Sequence, residues 1–417
     1  MGFQRYPTGS TIRHDVMKIG IYNRYWGTMG GGEKYTGTIA QILSEGHEVD
    51  LIHTSKIDVN EFQARMNLDL SRARWVEWPG DSCAQLAPRS ADYDLFINST
   101  YCSSMVSQAK SSIYVVFFPH QLSPRPMGPR RKALASLLGA MGRSPRLLGE
   151  AGARLASRAY GRIQRGSNEF ISSYQIKITI SQFTTEWVDR RWGCKGVVLS
   201  PPIDVERYAD IESSGKSRVI LSVGRFFHGG KDGHNKKHLE LLRAFRAMCD
   251  SGRVPEGWEY HLAGSVNLNT SEDIEYFREV NDLAKGYPVK ILGNISADAL
   301  KQEYAKASIF WHGSGWGEDA ESFPERMEHF GMTTCEAMAA ACVPVVMPQG
   351  GQPEIVNNGV NGYYFRDANE LAARTETLMA KFGHRDLEAM AARAREDVKR
   401  YSLPHFRKGV LELMDSI

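Results

Sequence analysis

Glu328-His-Phe-Gly-Met-Thr-Thr-Cys-Glu336 runs straight into Ala337-Met-Ala-Ala-Ala-Cys-Val-Pro-Val-Val346, setting two carboxylates eight residues apart across a glycine turn that opens a helix. Gly331 lets the main chain approach a ligand closely. The N–H groups at the start of the following helix favour an anion, and each flanking carboxylate can accept hydrogen bonds from sugar hydroxyls. The same residues also make an ordinary helix entry whose acidic side chains complement the helix dipole. A nucleotide-sugar cradle and a plain helix start are both open on this stretch alone, and the rest of the chain has to decide.

Upstream, apolar runs of strand length alternate with helical patterns. Residues 18–22 read as a buried strand, 27–32 as a glycine turn, 33–44 as a helix and 46–53 as a second strand, which is a βαβ unit. The runs at 95–98 and 113–118 have the continuous hydrophobicity of parallel strands covered on both faces. Leu199-Ser-Pro-Pro-Ile-Asp204 then interrupts regular structure with two prolines and reads as a linker. After it the alternation restarts, with strands at 219–223, 260–263, 289–292, 309–312 and 343–347 and helices at 239–249, 271–285 and 297–305. The expected fold class is α/β, with two Rossmann-like doubly wound domains at 17–199 and 205–395.

The 417 residues exceed one ordinary core and suffice for two. Six scattered cysteines form no Cys-x-x-Cys pair, so neither a disulfide framework nor a zinc site is suggested, and a reducing cytoplasm fits. Residues 1–16 lack the apolar core of a signal peptide and are expected to be a disordered extension; no apolar run reaches membrane-spanning length. The formal charge of +3 hides an uneven distribution, because 125–165 carries ten basic residues against Glu150 alone. Within it Arg154, Arg158 and Arg162 recur four residues apart, which suits either an anionic bilayer surface or a solvated helix face. Nucleic acid is disfavoured because only Tyr160 is interleaved among the basic residues.

Several constellations carry chemistry. In Tyr25-Trp-Gly-Thr-Met-Gly-Gly-Gly-Glu-Lys34 the glycines stand where a strand hands over to a helix, so main-chain N–H groups can face a diphosphate. Asp50 lies about twenty residues on, as in a dinucleotide site, but Gly-x-Gly-x-x-Gly fails at Tyr35. His120 is expected at the carboxyl end of the 113–118 strand, where open α/β sheets keep their ligands. Arg225 follows the 219–223 strand, and Asn235-Lys236-Lys237 opens the next helix; a bidentate fork and a point charge there would meet a diphosphate. His228, His234 and His238 lie in the same stretch, yet only Asp232 accompanies them and no metal is expected.

Taken together, the glycine turn, the Arg and Lys cluster and the Glu328/Glu336 pair followed by Ala-Met and a Pro-Val strand resemble the family 4 glycosyltransferases, over about residues 18–365. The resemblance implies the GT-B architecture, two Rossmann-like domains facing a cleft, with residues 396–417 as a last helix returning to the first domain. It implies that Glu328 touches the transferred sugar, Glu336 the ribose, and the N–H groups of Gly331, Met332 and Thr333 a phosphate. Gly31 and Gly32 would approach the donor phosphates or the acceptor, and His120 would face the sugar. Arg225 and Lys236 would replace a divalent ion, so no cofactor is needed beyond the nucleotide-sugar substrate. The insert at 226–234 departs from the family pattern and leaves Lys231 and Lys237 open as substitutes, and the aromatic, acidic stretch at 311–328 is longer than usual.

The function expected is that of a retaining, metal-independent glycosyltransferase, a hexosyltransferase such as a mannosyltransferase, acting on a glycan or lipid-linked glycan. It would work in the cytoplasm, at the inner membrane face if 125–165 binds lipid. A non-catalytic nucleotide-sugar binding protein and an NAD-dependent oxidoreductase are the alternatives, the latter disfavoured by the failed glycine fingerprint.

Overall fold

The computed structural model describes residues 16–80, 82–122, 136–138, 141, 152, 169–212, 215–229, 235–266, 268 and 270–417. The expected extension at 1–16, apart from Val16, lies outside them, as does nearly all of the basic segment at 125–165. The chain forms two compact units, Met1–Val115 with Glu169–Ile176, and Val116–Asn168 with Lys177–Ile417. No helix among the described residues is long and apolar enough to cross a membrane.

The first sheet contains β1 (Lys18–Tyr22), β2 (Glu48–His53), β3 (Arg74–Glu77), β4 (Leu95–Asn98) and β5 (Ser111–Val116) in the order β3-β2-β1-β4-β5. β1 pairs in parallel with both β2 and β4, and Ile19, Ile21, Leu95, Phe96 and Ile97 are buried, as strands covered on both faces require. The glycine turn after β1 is tighter than expected. Trp26–Thr28 forms a 3-10 turn and the helix begins at Gly31, two residues early, because the Glu33 carboxylate folds back to accept from Gly30 N (2.9 Å) and Thr28 Oγ1 (2.6 Å). Asp50 is committed to Arg74, through two bonds of 2.9 and 2.8 Å, and to the Tyr93 hydroxyl at 2.9 Å. It is a structural acid.

β6 (Ile176–Thr179) and β7 (Val197–Val198) make a further parallel pair, flanking the helix Gln182–Trp192. The second sheet contains β8 (Ser217–Val223), β9 (Glu259–Gly264), β10 (Val289–Gly293), β11 (Ala307–His312), β12 (Val343–Val346) and β13 (Tyr363–Tyr364). Their order is β10-β9-β8-β11-β12-β13, all parallel, which is the doubly wound pattern with its reversal between β8 and β11. The helix His238–Asp250 buries Leu241, Leu242, Phe245 and Met248 on one face against Tyr260 and Trp311. Both aromatic partners keep their polar ends satisfied, Tyr260 OH at 2.9 Å from Ser222 Oγ and Trp311 Nε1 at 3.1 Å from Thr375 Oγ1.

Of the three histidines between 228 and 238, His234 lies outside the described residues and His228 is exposed. His238 belongs to the core. It is buried, stacks on Phe226 at 4.5 Å and has Nδ1 3.2 Å from the Tyr276 hydroxyl. Burial, aided by the charge of Lys236, pulls its pKa from 6.5 down to about 3. The unfolded chain therefore takes up a proton that the folded one refuses, so this contribution to stability is full above pH 6.5 and is lost as pH falls towards 3. The thermal midpoint is expected to drop more steeply between these limits in the wild type than in His238→Gln, measured by differential scanning fluorimetry across pH; parallel profiles would contradict the assignment.

Candidate functional site

The carboxyl ends of β8 and β11 bracket the reversal of the second sheet, and the loops leaving them bring the site together. Gly224 follows β8 and packs against its neighbours without a side chain: a Cβ there would meet Lys236 Cγ at 2.5 Å. Lys236 thus lies across the end of β8 and reaches Glu328, its ammonium 2.6 Å from Oε2, with both side chains mostly buried at 20% and 15% exposure. Lys237 adopts a left-handed conformation (φ 56°) as the cap of the helix His238–Asp250. Its side chain has a different partner, Glu318 at 2.7 Å, whose other oxygen accepts from Arg326 at 2.8 Å. Burial would raise the Glu318 carboxyl, but the bonds from Lys237 and Arg326 outweigh it and hold the pKa below the usual range. Adjacent lysines therefore tie down both ends of the 318–328 segment.

His312, the last residue of β11, is buried with Nε2 3.0 Å from the same Glu328 Oε2. Beyond Glu328 the chain turns through Gly331 at φ 121°, the cap of the helix Met332–Ala339. The first intrahelical bond comes from Cys335 N to Gly331 O at 3.1 Å, so the amides of Met332, Thr333 and Thr334 are not used within the helix. That exit is clamped by the loop after β12. Gly351 N donates to Glu328 O at 2.8 Å, and a Cβ on Gly331 would meet Gln352 Nε2 at 2.5 Å. Glu336, in the second turn of the helix, accepts from the Tyr304 hydroxyl at 2.9 Å. Burial, then the Glu336 charge, raises the Tyr304 phenol well above its ordinary value, so it stays a donor. Ser314 Oγ and Gln349 Oε1, buried beyond β11 and β12, have no hydrogen-bond partner among the described residues.

The strand expected to end at Phe118 stops at Val116, and His120 lies four residues past it. Its carbonyl accepts from Trp192 Nε1 at 3.0 Å, and burial followed by the nearby Arg191 charge lowers its pKa. Phe118 stacks on His329 at 4.2 Å, Arg191 pairs with Glu325 at 2.7 Å, and Ser181 Oγ donates to His329 O at 2.6 Å. The surroundings of His120 are thereby tied to the glutamate loop. Arg225 is exposed, with its guanidinium 5.1 Å from the Phe227 ring centre. Gly31 and Gly32 open their helix in the smaller unit. Lys231 lies outside the described residues. The sequence reading missed His312, Gln352, Tyr304 and the pairing of Lys237 and Arg326 with Glu318. Only His312 had a signal, as the last residue of a predicted strand at a ligand-binding sheet end.

Residues 205–397 match the family described as glycosyl transferases group 1. An uncharacterized glycosyltransferase of Methanocaldococcus jannaschii is 29% identical over 195 residues, 46% of this chain and 43% of that protein. The alpha-1,3/1,6-mannosyltransferase ALG2 of Rhizomucor pusillus is 26% identical over 239 residues, 50% of each. The chain thus spans about half the length of these curated relatives. Among solved structures, Anabaena HepE in complex with UDP-glucose superposes with a TM-score of 0.64 at 17% identity, over 96% of this chain and 100% of that one. This likeness shows the fold, two Rossmann-like domains of the GT-B class.

Gly331→Ala places a β-branch-free but bulkier residue at a φ that side chains rarely adopt and against Gln352. A loss of about 1–3 kcal/mol is expected, read as a lowered midpoint in urea unfolding; an unchanged midpoint would show that the turn relaxes freely.

Proposed function

We propose that this chain, whose residues 205–397 match the glycosyl transferases group 1 family, transfers a sugar from a nucleoside diphosphate sugar to a hydroxyl with retention of anomeric configuration and without a metal ion. The observation that carries the reading is the Lys236–Glu328 pair at the reversal of the second sheet, set immediately before the glycine-capped helix start at Gly331. A cation suited to phosphate, a carboxylate suited to sugar hydroxyls and helix-start amides suited to an anion fit a ligand that carries both a sugar and a phosphate.

In the proposed reaction Arg225 and Lys236 bind the diphosphate, with the amides of Met332 and Thr333 completing its shell. Glu328 orients the sugar, and Glu336, steadied by Tyr304, takes the ribose. The bond from the anomeric carbon to phosphate oxygen breaks as the bond to the acceptor oxygen forms on the same face. The acceptor proton passes to the departing phosphate oxygen, so no strong protein base is required. The chain contributes orientation and stabilisation of the charge that grows on the leaving diphosphate. His120, Gly31 and Gly32 are assigned to the sugar and acceptor side.

The test is release of nucleoside diphosphate from a panel of UDP- and GDP-sugars. Arg225→Ala is expected to lower kcat by about 100-fold or more with the thermal midpoint retained, and wild-type turnover to survive EDTA. Near wild-type rates in the variant, or loss with EDTA and rescue by added metal, would refute the corresponding part of the mechanism. Donor binding with no release would leave a binding protein.

The acceptor is proposed to be a glycan or lipid-linked glycan reached at a membrane surface, supported by the arginines of 125–165. Co-sedimentation with vesicles containing anionic phosphatidylserine is expected to fall when Arg154, Arg158 and Arg162 are changed to Glu; unchanged binding would remove that support.

A further inference from the structure

Glu328 Oε2 meets two groups at once, the Lys236 ammonium at 2.6 Å and His312 Nε2 at 3.0 Å. The two differ in freedom. Lys236 is a flexible chain laid over Gly224, whereas His312 is the buried last residue of β11 and moves only with the sheet. On the other side of the imidazole, Gln352 Nε2 stands 3.5 Å from Nδ1, and Gln352 is itself fully buried beside Gly331. An amide N–H facing Nδ1 favours the tautomer that carries its proton on Nε2, which donates to the carboxylate.

In the transfer reaction Lys236 has two anions to serve, the Glu328 carboxylate and the incoming diphosphate. An ammonium that turns to phosphate takes its charge from a carboxylate only 15% exposed, and a buried acid stripped of its partner tends to take up a proton or move. A protonated or displaced Glu328 could not hold the sugar as an ionised acceptor of hydroxyl hydrogen bonds. A donor anchored to the sheet on the same oxygen removes that difficulty.

We propose that His312 is a positioning residue: it keeps Glu328 ionised and aimed while Lys236 exchanges the carboxylate for the donor's diphosphate, with Gln352 fixing the ring tautomer. The proposal rests on the transferase reading above. In the free protein Lys236 is stored on Glu328, already extended across the sheet end. Donor binding is then a partner exchange, and the imidazole is the contact that persists through it.

His312→Leu and His312→Gln in the full chain test the role; the glutamine amide nitrogen overlies the imidazole Nε2 and keeps the donor. Release of nucleoside diphosphate from UDP-glucose and GDP-mannose, followed over pH about 6 to 9, should show kcat reduced about tenfold or more in His312→Leu, with KM within about threefold and the thermal midpoint unchanged. His312→Gln should recover to within about threefold of wild type. Wild-type kcat in His312→Leu, or a folded His312→Gln as impaired as the leucine variant, overturns the role. A second readout needs no turnover. In spectra of protein labelled with nitrogen-15 histidine, the His312 ring, assigned by its loss in His312→Gln, should carry its proton on Nε2 and shift in Glu328→Gln and on addition of UDP. A ring protonated only at Nδ1, or one indifferent to Glu328→Gln, also overturns it. Absence of turnover from every donor with the spectral responses intact would sink the transferase reading and leave the His312–Glu328 coupling standing.

Discussion

The loop after β11 is held to the loop after β8 by charge. Two consecutive lysines face two acids ten residues apart, Lys236 with Glu328 and Lys237 with Glu318, and the left-handed backbone at Lys237 gives the neighbouring side chains different partners. All four side chains are largely buried, a setting in which the loss of one partner is far more damaging than at the surface. The 313–327 insert, rich in glycine and without regular structure apart from the turn Pro324–Arg326, takes its position from these pairs and from the packing of Trp316 on Phe365. What would otherwise be a loose excursion becomes a wall beside the glutamate loop.

The fold supplies the rest. A doubly wound sheet reverses its winding once, and at that place the carboxyl ends of two neighbouring strands lead their loops in opposite directions, leaving a crevice. Here the strands are β8 and β11. The backbone comes close on all sides of it: a Cβ on Gly264 would overlap the Gly224 carbonyl, and one on Gly350 the Glu328 carbonyl. These contacts leave no room for a side chain at either glycine, so the main chain itself lines the crevice.

The site also joins three acids in unlike settings. Glu318 is a structural anion engaged by Lys237 and Arg326, while Glu328 is shared between Lys236 and His312. Glu336 stands apart, bonded to a tyrosine whose own proton is secure. Three carboxylates within one stretch of chain thus have three different electrostatic surroundings, and only the folded protein distinguishes them.

The strand cores were readable because continuous runs such as Leu95–Asn98 and Val343–Val346 have no other favourable place than a sheet covered on both faces. The helix start at Gly331 was readable because a turn of that φ excludes a side chain, and the Glu328/Glu336 spacing because helix geometry is local. Strand ends at Val116 and the early helix at Gly31 were not, since they depend on a sheet neighbour and on one side chain folding back. Neither was the choice between Lys236 and Lys237, for adjacent identical residues differ only once a backbone dihedral and a distant acid assign each its partner. By itself the sequence determined the class of fold and the placing of the Glu328/Glu336 pair around a glycine-capped helix start, because periodicity and turn chemistry are properties of neighbouring residues. The tertiary structure alone decided that His312 and Gln352 stand behind Glu328, because contacts 16 and 40 residues apart in the chain exist only after β11 and β12 have paired.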